Sequence, residues 1–100
     1  MVGENGGGMG EETVARVIVM PLREVLDPQG EAVLEGLRAL GFDEVRSVRV
    51  GRVIELRLPA SDPDRLRRRI GAMCDQLLVN PVVEEARVEG LDGAQAPDAE

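Results

Sequence analysis

Hydrophobic and polar positions divide the chain into six segments. Residues 13–20 read Thr-Val-Ala-Arg-Val-Ile-Val-Met, apolar and β-branched on both faces, the pattern of a strand with neighbours on each side. After a connection at 21–26 comes Asp27-Pro28, a side-chain acceptor at the N-cap followed by Pro at the first helical position, which starts a helix over 28–40. Val33, Leu37 and Leu40 form its apolar stripe beside the small Ala32 and Gly36, and Gly41 follows as the C′ residue. Residues 45–50 and 52–58 read as two strands of a hairpin joined through Gly51, the second alternating Ile54, Leu56, Leu58 against Val53, Glu55, Arg57. Ser61-Asp62-Pro63-Asp64 repeats the cap-then-proline signal, with Ser61 taken as cap chemistry, and Leu66, Ile70, Met73, Cys74 and Leu77 keep helical spacing over 63–78. Residues 81–89 close the pattern as a fourth strand, with Val82, Ala86 and Val88 opposite Val83, Glu85 and Arg87.

The order strand, helix, strand, strand, helix, strand predicts an α+β fold, a βαββαβ ferredoxin-like two-layer sandwich. Two right-handed crossovers set both helices on one face of an antiparallel sheet. The helix-free, apolar face is then expected to meet another subunit. The Gly-rich segment 1–12 and the acidic segment 91–100 hold too little apolar surface to offset the entropy of ordering them, so both are expected to be disordered tails around a domain at 13–90.

Charge and composition change this picture little. Of the 100 residues 43% are apolar, but Phe42 is the one aromatic, so the core must be aliphatic. The formal charge of −7 belongs to the ends: without the acids of 1–12 and 91–100, thirteen acids face twelve arginines, a balance of −1. A nearly neutral body gives no argument for nucleic acid or a membrane as partner. With no charged leader before an apolar run and no stretch of ~18 apolar residues, the expected location is cytoplasmic.

The residue inventory excludes several chemistries. There is no His, and the single Cys74 cannot form a Cys-x-x-Cys metal or redox site, so it reads as a buried reduced thiol. Gly6-Gly7-Gly8 precedes a strand rather than a phosphate-binding helix. An RNA-recognition module of this topology would need aromatic residues where the central strands carry Ile, Val and Leu. Arg65, Arg67, Arg68 and Arg69 form one basic cluster on the second helix, read as a solvated face, with Asp64 and Arg68 as an i,i+4 pair.

Three stretches resemble the PurS family, the small subunit of phosphoribosylformylglycinamidine synthase. They are Val25-Leu26-Asp27-Pro28-Gln29-Gly30, then Val48-Arg49-Val50-Gly51-Arg52-Val53-Ile54-Glu55, then the run from Met73 to Glu84 that contains Asn80-Pro81. Their order and spacing cover roughly 14–89. Arg52 stands where the family pattern has Lys, and the aromatic often seen near Ala86 is absent.

The resemblance implies a chain with no catalytic site and no cofactor of its own. It would be a homo-dimer or tetramer bridging a glutaminase subunit and a large synthetase subunit, so that glutamine-derived ammonia is delivered to formylglycinamide ribonucleotide in purine synthesis. ATP, magnesium and glutamine are implied for the complex. Asp27, Pro28, Gly51 and Pro81 are then structural positions, Gly51 through a positive φ or a close backbone approach, and Arg49, Arg52, Glu55, Asn80 and Glu84 are the expected interface. The alternative is an ACT-like amino-acid-binding module, which shares the element order and needs a ligand pocket near the turn after the first strand, where this chain has Pro21-Leu22-Arg23-Glu24.

Overall fold

A computed structural model of the chain describes residues 11–91. Most of the two expected tails, 1–10 and 92–100, lies outside the described residues. The elements are β1 (Glu12–Pro21), α1 (Pro28–Ala39), β2 (Arg52–Pro59), α2 (Pro63–Met73) and β3 (Glu84–Glu89), with α2 running on into a π-helical turn at Cys74–Leu78. β1 is central, flanked by β2 and β3, and both pairings are antiparallel.

Register decides which side chains form the core. Val17 pairs with Ile54 on one side and Val88 on the other, and Val19 with Arg52 and Ala86. With alternation along each strand, Ala15, Val17 and Val19 fall on one face together with Ile54, Leu56, Leu58 and Val88. Leu66 and Ile70 of α2 pack there, one turn apart on the helix, and Met73, Cys74 and Leu78 extend the contact. Leu91 is buried in the same cluster, so the domain extends past the boundary drawn at Gly90. Gly90 makes this possible: its φ of 91° turns the chain inward after β3, a conformation an L side chain rarely adopts.

The α+β class and the antiparallel sheet with two helices stand, but the sheet has three strands. The expected strand at 45–50, and with it the hairpin at Gly51, is not formed. The backbone N–H of Val50 donates to a carboxylate oxygen of Asp27 (3.0 Å), and Gly30 lies against the Val48 carbonyl. The segment is thereby tied to the start of α1 instead of laddering along β2. Gly51 has no positive φ; a Cβ there would collide with the Val19 carbonyl and the Met20 sulfur, so close approach is its reason.

The second difference concerns α1. Its start and stop follow the sequence: Asp27 accepts from the Gly30 N–H (3.0 Å), and Gly41, at φ 99°, closes a Schellman motif with Phe42 N–H to Leu37 O (3.0 Å) and Gly41 N–H to Arg38 O (3.0 Å). Yet no α1 residue enters the core, and only Gly30 of the helix is buried. The helical layer over the core is α2 alone.

Smaller corrections have local causes. The cap of α2 is Asp62, which accepts from the Arg65 N–H (3.1 Å), not Ser61, and Asp64 pairs with Arg67 (3.2 Å) rather than Arg68. Residues 81–83 form a turn before β3, because the Asn80 carbonyl accepts from both Val83 (3.1 Å) and Glu84 (2.8 Å).

Candidate functional site

Four of the five expected interface residues cluster where α2 ends and β2 and β3 meet β1. The π turn is closed by the Val79 N–H donating to the Cys74 carbonyl (3.1 Å), and the chain then turns through Asn80-Pro81 into β3. Asn80 organises this turn with its side chain as well, its Oδ1 accepting from the Val82 N–H (3.1 Å). Its own N–H donates to Glu84 Oε1 (2.9 Å).

Glu84 is also held by Arg52, at the start of β2. One guanidinium nitrogen lies 2.6 Å from Oε2 and another 3.2 Å from Oε1, and the second also donates to the Leu78 carbonyl (2.7 Å). The planar fork suits this double contact, which an ammonium could not reproduce. The Arg52 hydrogen bond, then that from the Asn80 N–H, hold the Glu84 carboxyl below the usual carboxylate range, and Glu84 in turn raises Arg52.

Arg49 lies nearby. It donates to the Pro21 carbonyl (2.7 Å) and reaches Glu85 at 3.5 Å, tying the segment before β2 to the end of β1. Glu55 is not part of this group. It sits on the opposite face of the sheet, paired with Arg16 at 3.5 Å, one strand away in register. Register sets Arg16 opposite Glu55, whereas Glu85 meets Arg49 from the segment before β2.

The face opposite α2 is not the apolar surface expected. Val14, Ile18 and Met20 of β1 form a half-buried central row, but Glu55, Arg57, Glu85, Arg87 and Glu89 flank it on β2 and β3. Exposed apolar side chains occur in two other regions, on and around α1 (Leu26, Val33, Leu40 and Phe42) and at the exit from α2 (Leu77 and Val82), while Val53 is exposed beside Ile18 on this face.

An open cleft of about 490 Å³ lies under the β1–α1 loop, with Val25, Asp27, Ser47 and Arg49 among its lining residues. This is where an ACT-type module would need its ligand. Both Asp27 oxygens, however, accept backbone N–H groups, from Gly30 and Val50, and these bonds in that order lower its pKa. Arg49 is engaged as described. The half-buried Cys74 has its thiol pushed up by desolvation and then by Asp75, which keeps it protonated. No cluster suited to a metal ion occurs among the described residues, and none of the described helices is long and apolar enough to cross a membrane.

Fold and side chains together define a small α+β domain whose distinctive polar residues brace its own turns and whose first helix keeps an uncovered apolar surface. A family model described as phosphoribosylformylglycinamidine (FGAM) synthase, PurS, matches residues 14–92. The chain is 44% identical over 84 residues to the phosphoribosylformylglycinamidine synthase subunit PurS of Synechocystis sp., covering 82% of this chain and 84% of that protein. It is similar in structure to Bacillus subtilis PurS, at 39% identity and a TM-score of 0.67, covering 79% of this chain and 96% of the other. A chain in the structure of PurLQS from Thermotoga maritima matches with 31% identity and a TM-score of 0.72, over 80% of this chain and 98% of that one. The chain belongs to the PurS family, and the ACT-like alternative is not favoured.

Proposed function

We propose that this chain is a non-catalytic assembly subunit of phosphoribosylformylglycinamidine synthase, working in the cytoplasm as a homo-dimer or tetramer. It bridges a glutaminase subunit and a large ATP-dependent synthetase subunit, so that ammonia released from glutamine reaches formylglycinamide ribonucleotide before it escapes to water. Glutamine, ATP and magnesium are handled by the other subunits.

The observation that carries this reading is the exposed apolar side chains at α1, Val33 on the helix with Leu26 before it and Leu40 and Phe42 after it, on a domain with only six buried core side chains among the described residues. A chain of this size has little core to spare, and an apolar helix face left in water calls for a protein neighbour. The polar residues divide into two roles. Arg52, Glu84 and Asn80 set the shape of the exit from α2 and Arg49 ties the segment before β2 to the end of β1, while Glu55, in one 3.5 Å ion pair, remains open to a partner.

Reconstitution tests the proposal. With the synthetase and glutaminase proteins of the same organism, glutamine-dependent synthesis requires this chain and ammonia-dependent synthesis does not. Full glutamine-dependent rate in its absence would overturn the assembly role.

A further inference from the structure

Leu77 stands on the wrong side of its helix. It follows Leu66 and Ile70 at helical spacing, and at about 100° per residue an unbroken α-helix would set it within about 20° of each, facing the core. Instead Leu77 is 84% exposed, while Leu66 and Ile70 are buried and Leu78 packs against the core. The π turn is the cause. Its i→i+5 bond, from the Val79 N–H to the Cys74 carbonyl (3.1 Å), takes up one extra residue. Past that insertion each side chain falls where its predecessor would have stood, so Leu78 takes the core position and Leu77 comes into line with Arg65 and Arg69. Wide turns of this kind recur at functional sites, and this one sets a leucine in water at the end of a row of arginines.

Arg65, Arg68 and Arg69 are all exposed, and none of their side chains has an ion pair or hydrogen bond among the described residues. The carboxylates at the start of α2 are already engaged, Asp62 by the Arg65 backbone N–H and Asp64 by the Arg67 guanidinium. The chain carries the complement of this surface at the end of its other helix. Leu40 and Phe42 are exposed there, followed by Asp43 and Glu44, whose carboxylates are exposed and have no partner among the described residues. The negative pole of α1 adds to these two charges. Within one copy the two surfaces do not meet, since the arginines of one and the carboxylates of the other both stay unpaired.

We propose that the Arg65–Arg69–Leu77 line of α2 receives the corner at residues 40–44 of a second copy of this chain. Leu77 covers Leu40 and Phe42, and the arginines bracket Asp43 and Glu44. Opposite charges around a small apolar centre set which surfaces meet and in what register, because the same surfaces repel their own kind. Every copy presents both halves, so two copies that exchange the contact across a two-fold axis form a closed pair. This contact rests on the homo-oligomeric assembly proposed for the chain and assigns its surfaces.

Charge reversal in the full chain tests the pairing. One variant carries Arg65→Glu and Arg69→Glu, the other Asp43→Arg and Glu44→Arg; all four positions are exposed, and circular dichroism checks that each variant folds. In sedimentation equilibrium the dissociation constant of each variant alone rises at least about tenfold over that of the unaltered chain. Mixed in equal amounts, the two variants associate to within about threefold of the unaltered chain, because both contacts of a mixed pair again join opposite charges. Leu77→Ser weakens association while the melting temperature of the monomer stays as it was. An unaltered chain that is monomeric throughout, unchanged association of either charge-reversed variant or of Leu77→Ser, or a mixture that does not recover would overturn the proposal. Glutamine-dependent synthesis in the reconstituted complex is read separately. If the chain supports that synthesis while the mixture fails to recover, this contact falls and the bridging role stands.

Discussion

Arg52 and Glu84 sit at the starts of β2 and β3, on either side of the central strand, and join across it through two hydrogen bonds of 2.6 and 3.2 Å. Because Glu84 also accepts from the Asn80 N–H and Arg52 also donates to the Leu78 carbonyl, one ion pair fixes both sheet edges to the turn that follows α2. Removing either partner leaves the Asn80 N–H or the Leu78 carbonyl to water and frees the turn from the sheet. A double-mutant cycle of Arg52→Gln and Glu84→Gln in urea denaturation is expected to give a coupling of about 0.5–1 kcal/mol, the upper part of the range for partly exposed pairs. Arg52→Lys recovers less than half of it, because an ammonium keeps the charge but not the fork. A coupling indistinguishable from zero would show that the pair is merely adjacent.

Asp27 and Glu84 make the fold acid-sensitive in a definite direction. Both carboxyls are held below their unfolded values, Asp27 by the Gly30 and Val50 N–H groups and Glu84 by Arg52 and then the Asn80 N–H. A depressed carboxylate contributes stability that is fully present above the unfolded value, near ~pH 4, and is lost as pH falls through the folded value. The melting temperature should therefore drop on acidification from neutral pH to about pH 3. In Asp27→Asn, which has one oxygen for two donors and no charge to lose, the protein is less stable at neutral pH but the drop is smaller. An equal drop in both proteins would remove Asp27 from the account.

Two glycines should respond oppositely to the same substitution. A methyl group at Gly51 meets the Val19 carbonyl and the Met20 sulfur, so Gly51→Ala forces the backbone of β1 and the segment before β2 apart, at a cost of about 1–3 kcal/mol. Gly36 lies within α1 with nothing within 4 Å of the new atom, and Gly36→Ala is expected to stabilise by up to about 1 kcal/mol through helix propensity. Thermal denaturation of the two variants side by side checks both signs.

What the sequence discloses follows the range of the interaction. The start of α1 was legible because Asp27, Pro28 and Gly30 act within four positions, and its end because Gly41 alone supplies the positive φ. The run at 45–50 reads as the first strand of a hairpin through Gly51, but its fate is decided 23 positions away, where Asp27 takes the Val50 N–H. Composition also cannot show that the last turn of α2 widens at Cys74–Leu78. The candidate site was half legible. Arg52, Glu84 and Asn80 were singled out together, yet their mutual contact depends on β1 lying between the strands that carry them, and Glu55 was grouped with them although register puts it on the other face. An apolar stripe such as Val33, Leu37 and Leu40 says that a helix face must be covered, but not whose surface covers it.

That surface gives the sharpest test of assembly. Leu40 and Phe42 lie at and just after the end of α1, are 75% and 47% exposed, and belong to no part of the buried cluster. Replacing Leu40 by Glu therefore removes no core contact, and the chain should keep its circular dichroism spectrum and its melting behaviour at concentrations where it is monomeric. If a second copy covers α1, the same change withdraws the burial of one leucine, worth about 1.5–3 kcal/mol, and introduces a charge into an apolar contact. The dissociation constant measured by sedimentation equilibrium should then rise by about ten- to a hundredfold or more, with Phe42→Glu acting in the same direction. Unaltered association in both charged variants would move the homo-oligomeric contact away from α1 and leave that surface to the other subunits of the complex.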